Sequence, residues 1–592
     1  IFAGAVQDMV VLFFSMRRDG KSLGQMIREE IGTVGGVAAL IAVFSIMIIL
    51  LAVLALVVVN ALAASPWGVF SIGLTIPIAL FMGFYLRYLR PGRVMEVTAI
   101  GVTLLLLAII GGNYVEQMGL ADVLTLTPNS LVFALVIYGF VASILPVWML
   151  LAPRDYLSTF MKIGVIVLLA IGLVIARPVL QSQAITNFAL EGNGPVFSGK
   201  LFPFVFITIA CGALSGFHAL IASGTTPKMI GKESQVRMIG YGGMLMESFV
   251  AISALIAASV INQGLYFSIN SPAGATGGTP AAAAKFVSSL GFTITPADLT
   301  AAAHSIHELT LISRTGGAPT LAFGISLIFT TAFGGGLAAF WYHFAIMFEA
   351  LFILTAVDAG TRVGRFMLQD TVGNVWKRYG DISWKPASWS ASAVVVGLWG
   401  YMLYIGVNDP LGGINQLFPL FGISNQLLAA IALALCVTLV LKHGKARYVW
   451  VPGVALAWDL IITMTASWQK VFSSNPKIGF FAQRSAYQAA LDKGALLKPA
   501  KTVDQMQQII TNSTVDGVLM ALFALLTIVV IGSAIPVWVK ASKLGGLPTT
   551  EIPRQPSHVV DAAEIFATSQ EKEAIREYQA SERELAHSGG PR

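Results

Sequence analysis

The chain has 592 residues, of which 56% are hydrophobic and 11% charged, and its formal net charge is +7. An ordinary soluble domain carries about 25% charged residues, so a water-soluble globule of this composition would have apolar surface left over, whereas a bilayer accepts it. Nucleic acid is excluded as the reason for the positive charge: Lys and Arg sit in short clusters between apolar runs, and no separate basic module exists.

A spanning helix needs about 20 apolar residues. The first run, 1–16, opens without Met or a charged leader, so the chain is expected to start partway through a helix. Spans are then predicted at 34–63, 69–86, 97–112, 130–152, 158–176, 201–223, 239–261, 319–333, 340–357, 389–407, 417–441, 447–466 and 516–538. The fold class is an all-α polytopic membrane protein with about 12–14 spans.

Basic loops set the orientation. Arg17, Arg18, Lys21 and Arg28 follow the first run, Arg87, Arg90 and Arg93 follow two spans later, and Lys228, Lys232 and Arg237 form a third cluster. Loops 64–68 and 113–129 hold no Lys or Arg, so the basic loops are expected to be cytoplasmic. Loop 358–388 carries Arg362, Arg365, Lys377, Arg378 and Lys385 and breaks the alternation. Either 319–357 is one crossing interrupted at Gly334-Gly335-Gly336, or a re-entrant piece lies in 262–318. The expected organisation is a transporter domain over 1–540, an outer polar loop at 467–515 within it, and a cytoplasmic tail at 541–592. The tail offers a surface helix at 558–586, and Asn512-Ser513-Thr514 fits a glycosylation acceptor pattern.

Ionisable groups inside lipid are costly and mark functional candidates. Here they are Asp8, Asp155, His218, Glu247, His343, Glu349, Asp358 and Asp459. In LFPFVFITIACGALSGFHALIASGTTPKM, residues 201–229, Gly212, Gly216 and Gly224 weaken the helix. Ser215, His218, Ala222 and Thr225 fall at helical spacing, so they share one face. That face either offers hydroxyl and backbone groups to an ion or substrate, or packs closely against another helix. Pro146 and Pro153 interrupt the run before Arg154 and Asp155, which could pair with each other at the cytoplasmic boundary. The half before Pro153 is expected to line a path and Arg154 to anchor it. Glu247 stands alone in GYGGMLMESFVA, either as a proton carrier or as a hydrogen-bonded structural acid. Glu349 and Asp358, nine residues apart, lie on roughly opposite helix faces. Asp358 is expected at a boundary, His343 at an interface, and Asp459 beside an unidentified basic partner.

Cys211 and Cys436 lie in apolar runs and suggest neither a disulfide nor a zinc site. His304-Ser305-Ile306-His307-Glu308 is not the HExxH pattern, and neither a Walker A motif nor a G-x-S-x-G elbow stands out. No enzyme activity, metal or cofactor is expected.

The chain resembles the carbon starvation protein A (CstA) family of bacterial inner-membrane transporters, including its pyruvate/proton symporter branch. AGAVQDMVVLFFSMRRDGKSLG at 3–24, LRYLRPGR at 86–93, LPVWMLLAPRDYLSTFMKIG at 145–164 and the 201–229 string carry the likeness. It continues through GYGGMLMESFVA at 240–251, AFWYHFAIMFEALFILTAVDAGTR at 339–362 and DPLGGINQLFPLFGISNQLLA at 409–429. The resemblance implies multi-pass residence in the inner membrane and proton-driven uptake of pyruvate or short peptides when preferred carbon runs out. By analogy it also implies a bundle of the inverted-repeat, LeuT-like type, with 130–152 and 201–223 lining the centre. On that reading Ser215, His218, Thr225, Gly212, Gly216 and Glu247 bind substrate or ion, and Asp8, Pro146, Arg154, Asp155 and Glu349 line the path or couple it. The alternatives are a membrane-embedded sensor or assembly partner acting through the tail, and a passive channel.

Overall fold

Apolar runs form helices here because lipid leaves no other way to satisfy backbone polar groups locally. The computed structural model describes residues 1–552 apart from 374, 375 and 382, together with 573, 576 and 577. The surface helix expected at 558–586 lies outside the described residues, those last three excepted. Among the described residues the regular structure is all helical, and ten helices are long and apolar enough to cross a membrane. Gly4–Met16, Pro128–Ile144 and Ala318–Phe333 are shorter apolar helices. The remaining run, 201–223, is split in two. The chain is a multi-pass membrane protein.

The principal helices are α1 Gly4–Met16, α2 Leu23–Glu30, α3 Thr33–Leu62, α4 Pro66–Phe84, α5 Val94–Gly112, α6 Pro128–Ile144 and α7 Leu151–Ala176. They continue with α8 Leu201–Ile209, α9 Gly216–Gly224, α10 Gly243–Ser259, α11 Ala318–Phe333 and α12 Ala338–Gly373. The last are α13 Lys385–Val407, α14 Gly413–Lys442, α15 Trp450–Phe472, α16 Phe480–Asp492 and α17 Val503–Leu544. Starts follow capping chemistry. Ser65, Thr127 and Thr502 accept from the backbone N–H groups of Gly68, Ser130 and Gln505, and Pro66 and Pro128 occupy first positions that need no donor.

Burial ranks the helices by depth in the bundle. The apolar window of α14 is 94% buried and that of α3 72%, against 17% for the span that contains α10. Helices α14 and α3 are therefore the central posts, packed on each other and on α17.

In the second half one of the two alternatives falls and one expectation is corrected. Helices α11 and α12 pack along each other after a short turn in which Gly334 takes φ 110°, so 319–357 is a pair of helices, not one interrupted crossing. Helix α12 then runs on to Gly373, which places Asp358, Arg362 and Arg365 within a helix and not in a loop. Segment 467–515 holds α16 and the start of α17, which continues unbroken as the last span.

Candidate functional site

The helix predicted at 201–223 breaks in the middle. α8 ends at Ile209, a 3-10 turn covers Ala210–Gly212, and Ser215 is extended at φ −135°, ψ 125° before α9 begins. Glycine makes the approach of α9 to α14 possible. A Cβ on Gly216 would stand 2.3 Å from the Asn425 carbonyl oxygen and 2.7 Å from the Ala429 nitrogen. Backbone groups freed by the break find side-chain partners, as buried peptide groups must. The Phe217 N–H donates to Asn425 Oδ1 at 2.9 Å, Gln7 Nε2 to the Ser215 carbonyl at 2.7 Å, and Ser248 Oγ to the Gly212 carbonyl at 2.9 Å. Asn425 also donates through Nδ2 to Ser215 Oγ at 3.2 Å and to Cys211 Sγ at 3.4 Å.

The break corrects the single face expected for Ser215, His218, Ala222 and Thr225. Ser215 precedes α9 with an extended backbone and Thr225 caps its far end, so a continuous helical face joins only the middle members. Thr225 stands apart from the site. Its N–H bonds to the Ile221 carbonyl.

Three ionisable groups meet at the break. Asp8, 6% exposed on α1, holds its Oδ2 3.0 Å from Nδ1 of His218, and Gln7 Nε2 donates to its Oδ1 at 3.2 Å. The side chain of His218 keeps 26% of its surface accessible, so the pair is not sealed. Glu247, half-buried on α10, bears electrostatically on both His218 and Asp8 and makes no hydrogen bond among the described residues. Its charge also reaches Glu349 on α12. The predicted set Asp8, His218, Ser215, Gly212, Gly216 and Glu247 thus comes together, with Glu349 within electrostatic reach of Glu247. Sequence reasoning missed Asn425 and Gln7, the neutral amides that hold the break open. Among the described residues no three His, Cys, Asp or Glu side chains are placed to hold a metal, and both cysteines are free.

A second interruption, at 145–150 between α6 and α7, overturns the expected Arg154–Asp155 pair. Arg154 turns inward to Asp358, 3.6 Å away with both side chains 1% exposed, and donates to the hydroxyl of Tyr138 and to Thr75 Oγ1 at 3.3 Å. Tyr138 in turn donates to Asp358. Asp155 points elsewhere, to Lys162 at 3.5 Å. Arg154 is therefore no surface anchor and Asp358 no boundary residue. Pro146 sits in the link, whose preceding helix end is capped from α12. Arg362 donates to the carbonyls of Ala142 at 2.5 Å and Leu145 at 2.8 Å, and Arg365 to that of Ser143 at 2.6 Å. Those are the orphan acceptors of a helix C-terminus. His343 is buried, stacked on Trp67 with ring centres 3.9 Å apart and bonded to the Ile306 carbonyl at 3.1 Å, so it is no interfacial residue. Asp459 is buried and has no ion-pair partner among the described residues.

A family model described as "Carbon starvation protein CstA" matches residues 1–466. A protein named "Peptide transporter CstA" from Mycobacterium tuberculosis (strain ATCC 25618 / H37Rv) is 53% identical over 97% of this chain and 77% of its own length. The "Peptide transporter CstA" of Escherichia coli (strain K12) is 54% identical over 89% of this chain and 76% of its own. From the same organism, "Pyruvate/proton symporter BtsT" is 49% identical over 91% of this chain and 78% of its own.

Proposed function

The chain belongs to the carbon starvation protein CstA family, and from that premise we propose that it is a secondary active transporter that imports pyruvate or short peptides together with protons. The observation that carries this reading is the meeting of Asp8, His218 and Glu247 at the break between α8 and α9. The start of α9 presents backbone N–H groups and the positive end of a helix dipole, which suit a substrate carboxylate. Two carboxylates and an imidazole beside it can accept a proton and so reduce the charge that must cross the low-dielectric interior. Relatives named as a peptide transporter and a pyruvate/proton symporter support both substrates and the coupling ion.

Further parts of the proposal are an inverted-repeat bundle of the LeuT-like type, residence in the bacterial inner membrane and a cytoplasmic tail over 541–592. The basic loop after α1 then faces the cytoplasm and segment 467–515 the outside.

The test is uptake of labelled pyruvate and a dipeptide into proteoliposomes, with and without an inward proton gradient. Accumulation that follows the gradient is expected for at least one of the two. Flux that neither saturates nor accumulates substrate under a gradient would replace the symporter with a passive pathway.

A further inference from the structure

We propose that Lys470, with Gln483, forms an outer carboxylate-capture site in a vestibule above the helix break. The proposal deepens the transport reading and rests on it for the identity of the acid. Lys470 lies in the last turn of α15 and is 5% exposed. Its ammonium is ringed by Phe197, Phe204 and Phe480, at 5.6, 5.5 and 5.4 Å from the ring centres. It makes no hydrogen bond or ion pair among the described residues. Asp516 feels its charge but does not reach ion-pair distance and does not line the cavity.

A buried ammonium without a carboxylate partner is costly, and ring faces compensate only part of that cost. What it faces is a cavity of about 380 Å³, within the range of small-ligand sites. Gln483 lines the same cavity. Its Oε1 already accepts from Gln416 Nε2 at 2.8 Å and from Ser513 Oγ at 2.9 Å. That fixes the amide with its N–H donors unused among the described residues. An unpaired ammonium and a fixed amide donor on one small cavity select an anion, and a carboxylate matches both.

The cavity also has a route inward. It shares the wall at 194–197 with a neighbouring cavity of about 540 Å³, which reaches Thr208 on α8 and Ser259 at the end of α10. Thr208 is the next-to-last residue of α8, just before the turn at Gly212, whereas Ser259 ends α10 and Glu247 lies near that helix's start. At 1.5 Å per residue, this second cavity comes within roughly 6 Å of Gly212 along α8 and stands about 18 Å from Glu247 along α10. A carboxylate held at Lys470 would be handed down past the aromatic wall.

The experiment is titration calorimetry on the purified full chain with pyruvate and, separately, with dialanine, each compared with its carboxamide. The wild type is expected to bind a carboxylate equivalent that Lys470→Met lacks and Lys470→Arg retains. The carboxamides should not fill it in any variant. Loss for one acid alone also supports the site and identifies the acid it serves. Identical isotherms for wild type and a folded Lys470→Met, or carboxamides that bind as well as the acids, would overturn the proposal. Should Lys470→Met fail to fold, Gln483→Leu decides by the same readout: a weakened outer equivalent supports the site and an unchanged isotherm overturns it. Uptake is scored separately. A wild type that transports neither acid removes the transport reading, whereas unchanged binding beside normal wild-type uptake removes only the capture site.

Discussion

Two helix interruptions, one at 210–215 and one at 145–150, each place an aspartate against a basic side chain, and they are finished in opposite ways. At the first, Asp8 meets a histidine that stays 26% accessible, a second acid stands nearby without a hydrogen bond, and neutral amides hold the broken backbone. At the second, Arg154 and Asp358 are both 1% exposed, Tyr138 bridges them, and Arg362 and Arg365 satisfy the free carbonyls. A buried ion pair is thus a site or a lock according to what remains open around it. An accessible ring and an unbonded acid can exchange protons, while a pair closed off from solvent and bridged by a third side chain fixes one helix against another.

The sharpest way to break this contrast is Asp358→Ala. It strands Arg154 as an uncompensated buried charge, which costs about 3–5 kcal/mol. A large fall in the melting temperature of purified protein is expected, together with substantial recovery in Arg154→Met/Asp358→Leu, where both charges go. Next comes Gly216→Ala. Its new Cβ, 2.3 Å from a backbone oxygen of α14, must push α9 away, at about 1–3 kcal/mol. Here uptake should fall further than thermal stability does, because the displaced helix carries His218. Glu247→Gln should cost less than about 1 kcal/mol in a melting assay, since the acid makes no hydrogen bond among the described residues. It should nevertheless abolish the response of uptake to the proton gradient.

The last effect is read as a change in pH dependence and concerns Glu30, in α2 outside the spans. Burial alone would raise its pKa, but Lys442 at 2.6 Å and Arg18 at 2.7 Å outweigh burial and hold it below the usual glutamate range. A depressed acid stabilises the fold above its unfolded pKa, and that stability is lost as pH falls through the folded value. Glu30→Gln should therefore melt lower near neutral pH and lose less stability on acidification than the wild type. A melting curve at several pH values below 5 checks this.

The apolar runs of the sequence marked the helices well, because lipid imposes length and composition directly. Long-range pairing is where the sequence was silent. Arg154 beside Asp155 reads as a local pair, and nothing local shows that its partner lies on α12. Arg362 and Arg365 read as topology signals although they cap α6, since a cation's loop role and capping role look alike in one dimension. Glycines, a histidine and lone acids in apolar runs marked the site. Asn425 and Gln7 escaped because a neutral amide inside an apolar run carries no charge to betray it. Thr225 was over-read, because helical spacing was carried across a backbone that stops being helical at Ser215.

Glu247 links the break to coupling, so the most direct measurement separates substrate exchange from gradient-driven accumulation in one variant. In proteoliposomes, Glu247→Gln should still exchange internal for external substrate at close to the wild-type rate, yet fail to accumulate it when an inward proton gradient is applied. Accumulation equal to that of the wild type would contradict the assignment of proton coupling to the cluster of Asp8, His218 and Glu247.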